Sequence, residues 1–474
     1  MNIFWFFAIL NAVPVLLVVA STPLKGLSRW VSPDTLVVLM LFAVFSVRPL
    51  FSERFRPSAI AGSGFYGLVP SLDGQVAASI VGSVLLWSIA VGALWKSRRR
   101  GVAEHGSGTP LHLVASDGFL PGRAVFITVS SLAVYSAALI SFMGVQGFLA
   151  LSRGRSAEAT MDFVPELITV IPLAGSIAGA MLILNAGDKE IKPAGWLAVV
   201  FCVAASIFAV SQLGTRRYII PALLIVLTAT LMRKPTRVRL WHVAAGGVAL
   251  IALAVLPYVR SAGSRIAGES LFDALVRSFE EVGPLGAAKS FFTSYDTQMY
   301  DYIAILATEY QNGHLEMGWG RGTFVEFLTR PFPSGMAPFS ERSSELKIHL
   351  FNYSCFGADC PAPNPVLSVG GLLFFDGWYL AVLVGGLLLG AFVRTLAHRW
   401  ADSRCLSPAN NLVTAVCASY AMIAVRTDTV FAVWWCIYTL AVAAVVVLAM
   451  SPKSTGPPGG RFVTKPLLQQ SGGH

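Results

Sequence analysis

Charge is what this sequence has least of. Of its 474 residues only 13% are Asp, Glu, Lys or Arg, while 55% are hydrophobic and the mean hydropathy is +0.66. A soluble domain carries about a quarter of charged residues, so an ordinary water-soluble fold is excluded. Cysteine is scarce too: Cys202, Cys355, Cys360, Cys405, Cys417 and Cys436 form no CxxC, and none is spaced as a ligand with the seven histidines, so no metal site is indicated. HExxH and GxSxG are absent, and the basic residues are too scattered to suggest nucleic acid as a partner. The alternating pattern of a transmembrane barrel strand is missing as well.

What is present is a succession of apolar runs of about 20 residues, the length of a bilayer-crossing helix. They predict an all-α polytopic membrane protein with about eleven spans, near 2–20, 32–50, 75–94, 124–144, 164–184, 193–211, 217–232, 241–258, 367–393, 410–425 and 430–450. The spans 217–232 and 410–425 are short and need tilt or a polar neighbour to make up the thickness. The first run lacks the basic start and cleavage site of a signal peptide and reads as a retained helix.

Short basic stretches set the orientation. Lys96, Arg98, Arg99 and Arg100 follow the third span, and Arg233, Lys234, Arg237 and Arg239 follow the seventh, which places both stretches in the cytoplasm. Alternation then puts the N-terminus outside and the C-terminus inside. The chain divides into N-terminal membrane helices over 1–258, an extracytoplasmic loop domain over 259–366, C-terminal membrane helices over 367–450 and a tail over 451–474 that reads as disordered from its composition. Helical pieces are expected in the loop near 271–282 and 295–309, followed by the turn Gly318-Trp319-Gly320-Arg321-Gly322 and a short helix ending near Arg330. Cys355 and Cys360, on the oxidising side, are a candidate disulfide, the alternative being two free thiols.

The candidate chemistry lies on the outer side. Arg216 and Arg217 enter the seventh span against the positive-inside bias, and the planar guanidinium fork matches phosphate oxygens, so an outer-leaflet diphosphate would explain them; snorkelling to lipid headgroups is the alternative. Arg48, Arg260, Arg265, Arg330 and Arg426 are further outer-side arginines that helix packing could gather. Asp296, Asp301 and Glu309 read as solvated helix positions or as candidate general bases, and His314 is the better of the two loop histidines for a base or hydroxyl-orienting role. Tyr300, Tyr302 and Tyr310, with Phe291, Phe292 and Tyr295, read first as an interfacial belt and second as sugar-stacking faces. Polar residues deep in the spans are sparse, which gives little support to a central ion pathway.

Three stretches carry a family resemblance: SQLGTRRYIIPALLIVL entering a helix, EFLTRPFPSGMAPF within the late loop, and NPVLSVGGLLFFDGWYLAVLVGGLLLG leaving it. Together with the single large late loop, they resemble the bacterial O-antigen or exopolysaccharide repeat-unit polymerases (Wzy-type), related to the O-antigen ligases. Arg330, Pro331, Phe332 and Pro333 match one motif, and Phe375-Asp376-Gly377 the glycine-containing turn of the return helix. Thr329 stands where the family has a proline, and Asp376 is either a displaced acidic residue or a turn cap. The resemblance implies a GT-C-like architecture in the bacterial inner membrane and a metal-independent glycosyltransferase. It would transfer a growing glycan from undecaprenyl diphosphate to an acceptor repeat unit at the outer face.

On that reading Arg216, Arg217, Arg330 and Arg426 bind the diphosphate, and His314, Arg217 and Arg330 form the catalytic set. No cofactor is required, because the lipid diphosphate is already activated. Membrane lipids and a chain-length-regulating copolymerase are the implied partners. The alternatives are a ligase passing glycan to lipid A-core and a transporter or flippase of lipid-linked glycans.

Overall fold

The computed structural model describes residues 3–52, 71–100, 120–152, 166–187, 189–212, 216–234, 299–313, 315–331, 367–427 and 429–451, together with residues 239, 276 and 280. Among them every regular element is helical. In hydrocarbon each backbone N–H and C=O must be satisfied within the protein, and a helix does so within its own segment.

The elements in order are α1 (Ile3–Ser21), α2 (Leu27–Val31) and α3, which runs from Pro33–Phe42 through a π segment, Ala43–Val47, into Arg48–Ser52. Then come α4 (Leu72–Arg100), α5 (Leu120–Ser152) and α6, made of Glu166–Val170 and Leu173–Asn185. They are followed by α7 (Pro193–Gln212), α8 (Arg216–Arg233) and α9 (Met299–Gln311). The last are α10 (Arg321–Val325 as π helix, then Glu326–Thr329), α11 (Ser368–Ala401), α12 (Pro408–Arg426) and α13 (Thr429–Met450). Nine helices among the described residues are long and apolar enough to cross a membrane. Of the eleven expected spans, 217–232 forms α8 with a shorter apolar stretch, Ile219–Arg233, and 241–258 lies outside the described residues.

Several spans depart from straight helices, each for a local reason. Pro172 interrupts α6, and the Ser206 hydroxyl of α7 enters the gap, accepting the Ser176 N–H at 2.9 Å and donating to the Pro172 carbonyl at 2.7 Å. Those two groups would otherwise bond each other within the helix, so the hydroxyl replaces one lost rung. Gly175 makes room, since a Cβ there would stand 2.5 Å from Ser206 Oγ and 2.6 Å from the Cys202 carbonyl. α5 is kinked at Gly144, whose φ of 71° favours glycine.

The helices pack around two apolar cores. One is formed mainly by α5, α6, α7, α8, α12 and α13, the other by α1, α3, α4, α9 and α11. α12 belongs to both, placing Leu412, Val416 and Tyr420 in the first and Ala421 and Val425 in the second. The closest packing joins α4 to α11. A Cβ on Gly386 would collide with the Ser88 hydroxyl, one on Gly390 with the Ile89 carbonyl and one on Gly92 with the Leu387 carbonyl. Small residues four apart let two backbones meet where hydrophobic burial alone gives helices in lipid little reason to associate.

α9 is not a detached loop element. It lies along α4, where a Cβ on Gly74 would strike Thr308 Oγ1 and the Ala304 carbonyl, and Ser71 Oγ lies 3.1 Å from Thr308 Oγ1. This corrects the expected interfacial belt: Tyr300 and Tyr302 are buried. The Tyr300 hydroxyl donates to the Gln75 carbonyl at 2.7 Å. Burial raises its phenol above the ordinary range, so it remains a neutral donor.

Two buried ion pairs fasten α3 at its ends. At one, Arg394 of α11 and Asp34 are both fully buried, with Arg394 Nη1 at 3.2 Å from Asp34 Oδ2 and 2.8 Å from the Ser21 carbonyl. Arg394 Nη2 also bonds the Ser21 hydroxyl at 2.7 Å, and Thr22 donates to Asp34 at 3.3 Å. At the other end, Arg48 pairs with Asp301 of α9. Between them Asn11 of α1 donates to Ser46 in the π segment at 3.0 Å.

Candidate functional site

The end of the bundle that holds Arg48 and Asp301 also collects the starts of α4, α8, α11 and α13 and the finish of α12. It is organised by a break in α11. Gly377 (φ −164°, ψ 31°) and Trp378 (φ 53°, ψ −149°) leave helical geometry, which frees backbone groups in the preceding turn. Those groups are taken up by the loop. The Phe375 carbonyl accepts the Gly318 N–H at 2.9 Å and the Tyr310 hydroxyl at 2.9 Å. Asp376 accepts the Gly322 N–H at 2.7 Å and the Thr323 hydroxyl at 2.5 Å. A Cβ on Gly322 would sit 2.9 Å from Phe375 Cδ1 and 3.1 Å from Asp376 Oδ1, so only glycine lets this turn close.

Asp376 thus caps the turn that opens α10, the structural one of the two readings of its motif. Burial, reinforced by the neighbouring Asp376 carboxylate, pushes the Tyr310 phenol upward and keeps it a donor. Tyr310, Phe374, Trp378 and Tyr379 form an aromatic cluster around the break, with Tyr310 and Trp378 ring centroids 5.6 Å apart.

From this cap α10 runs onto the first turns of α13. Phe327 stacks on Trp434 with centroids 5.2 Å apart, and Trp434 Nε1 donates to the Phe327 carbonyl at 2.9 Å. Arg330, half-buried, sets its guanidinium carbon 3.2 Å above the Phe431 ring, with Glu326 Oε1 3.6 Å away. The aromatic face and the buried Glu326 carboxylate hold the guanidinium in place. Between α10 and the start of α13 lies an apolar groove of about 290 Å³. Thr323, Phe324, Phe327, Thr429, Val430 and Val433 line it.

The other arginines of the expected set share this end by backbone position. α8 begins at Arg216 and packs against α12, which finishes at Arg426, five residues before Phe431. The side chains of Arg216, Arg217 and Arg426, and the whole of His314, lie outside the described residues, as do Cys355 and Cys360, Arg260, Arg265 and Asp296. Two expectations are corrected. Arg48, expected among the convergent arginines, is buried against Asp301 and serves the fold. Asp301, expected on a solvated face, is its partner and is 8% exposed.

Sequence reasoning missed the platform on α13. Phe431, Trp434, Trp435 and Tyr438, at spacings of three and four, are its signal, a helical face of aromatics at the start of a span. It also missed Asp34 and Arg394, whose signal is a charge inside an apolar run. Among the described residues no three His, Cys, Asp or Glu side chains gather as metal ligands.

Fold and site together define an all-α, multi-spanning membrane protein. No protein family, curated protein or solved structure matches the chain.

Proposed function

We infer that the protein is a membrane glycosyltransferase that polymerises lipid-linked oligosaccharide repeat units, releasing undecaprenyl diphosphate at the outer face of a bacterial inner membrane. The observation that carries this reading is Arg330, fixed over Phe431 on the helix that lines an apolar groove, at the same end of the bundle as the helix ends that bear Arg216, Arg217 and Arg426. A lipid diphosphate has the same two halves, an apolar tail and a compact dianionic head. Guanidinium groups bind such a head bidentately and offset the charge that develops as it departs. The N-terminal turn of α8 adds the positive end of its dipole to the arginine pair.

In this mechanism the glycosyl bond to the diphosphate breaks while a hydroxyl of the acceptor unit attacks the anomeric carbon. His314 takes or orients that hydroxyl proton, and Arg217 and Arg330 hold the departing diphosphate. The basic stretches at the opposite end of the bundle set the orientation, with the N-terminus outside and the C-terminus in the cytoplasm.

The test is reconstitution of the purified protein in lipid with a polyprenyl-diphosphate-linked repeat unit, the products being resolved by mass. A ladder spaced by one repeat unit is the expected result. Glycan appearing on lipid A-core instead would mark a ligase, and unmodified substrate moved across the bilayer would mark a flippase; either overturns the polymerase reading.

A further inference from the structure

α10 presents two faces. Gly322, Glu326 and Thr329 are buried, and Phe327 stacks on Trp434. The opposite face holds Phe324 and Leu328, one turn apart and 66% and 47% exposed, and the preceding turn adds Trp319 at 80%. Trp319 has a φ of 50°, a left-handed conformation disfavoured for a residue with a bulky side chain, yet its indole stands outside the fold. Arg321 and Arg330 flank this apolar face at the two ends of the helix.

What covers the face is indicated by the helix to which α10 is fastened. Phe431 and Trp434 lie in the first two turns of α13, one of the apolar spans. Val433, which lines the groove beside Phe324, continues along α13 into the exposed residues Ile437, Val445 and Leu448, a single outward stripe at helical spacing. In a membrane span that stripe meets lipid chains, so the apolar face of α10 begins where a lipid-facing surface ends.

We propose that α10 and the turn before it lie in the interfacial layer of the bilayer, with Trp319, Phe324 and Leu328 set among the lipids and Arg321 and Arg330 at the depth of the phosphates. An indole favours this layer because its ring is amphipathic, a short helix with one apolar face lies in its plane, and flanking arginines extend toward the headgroups. The arrangement holds Arg330 at phosphate depth whatever reaction occurs there, so it stands apart from the chemistry proposed above.

The test places p-benzoylphenylalanine at position 319, 324 or 328 of the full chain in phosphatidylcholine nanodiscs. Irradiated protein is then analysed by mass for phospholipid adducts. Position 445, on the lipid-facing stripe of α13, is the positive reference, and position 190, exposed in the connector between α6 and α7, is the negative one. All three test positions are exposed, so the substitutions leave the packed face intact. Adduct yields close to that at 445, and on the order of tenfold above that at 190, are expected. Yields at the level of position 190 in monodisperse protein would overturn the proposal. So would crosslinking in native membranes to another protein in place of lipid.

Discussion

Arg48 and Asp301 stand 253 positions apart in the chain, and their side chains meet at 2.5 Å. The pair joins the end of α3 to α9 and so holds the late loop against the N-terminal half of the bundle. Removing one partner of a buried pair leaves an uncompensated charge and costs about 3–5 kcal/mol, whereas replacing both with apolar residues of similar volume is close to neutral. Arg48→Ala and Asp301→Ala are each expected to lower the thermal unfolding midpoint in detergent, and Arg48→Met with Asp301→Leu to recover most of the loss. Single variants with unchanged midpoints would remove the clamp from the account.

Asp376 separates a structural from a chemical role cleanly. Asp376→Asn retains an oxygen for the Gly322 N–H, while Asp376→Ala leaves that donor and Thr323 without their acceptor. The alanine variant is expected to be destabilised by about 0.5–2 kcal/mol, as for loss of a helix cap, and the asparagine variant by less. Thermal unfolding checks this. Loss of turnover in Asp376→Asn at unchanged stability would assign the carboxylate to the chemistry instead.

Arg217 and Arg330 are expected to act on turnover rather than on folding. Removing a preorganised donor to a developing charge lowers rate by roughly 10²–10³, so Arg217→Ala and Arg330→Ala should slow ladder formation on that scale. Arg330→Lys should restore only part of it, because an ammonium lacks the planar fork and the stacking surface that Phe431 supports. Initial rates from the reconstituted reaction, with thermal unfolding as the control, measure both effects.

Orientation has its own test. With Glu316 beyond α9 and Glu190 between α6 and α7 each replaced by cysteine in a background free of the other cysteines, a membrane-impermeant maleimide should label position 316 in intact spheroplasts. Position 190 should react only after permeabilisation. The reverse pattern would place the arginine-bearing end in the cytoplasm and remove the proposed reaction from the outer face.

Runs of apolar residues made the spans legible, since bilayer thickness fixes their length. Their interruptions were less so. The break at Gly377 and Trp378 depends on acceptors offered to Gly318 and Tyr310, which are about sixty residues away in sequence and reveal themselves only when the loop docks. Asp301 shows the same limit: its position on α9 suggests a solvated face, and only packing against α3 turns it into the partner of Arg48. Arg330 stands out in the sequence beside Pro331, whereas Phe431, its support, lies 101 positions later in a run that reads as an ordinary span.

The central claim, that the arginine-bearing end of the bundle binds a lipid diphosphate, is tested most directly by native mass spectrometry of the purified protein with undecaprenyl diphosphate. The wild type is expected to retain the lipid, with occupancy falling on the order of tenfold in Arg217→Ala and in Arg330→Ala, as for loss of a charge-assisted bidentate contact. Equal occupancy in all three, with each protein folded, would contradict the account.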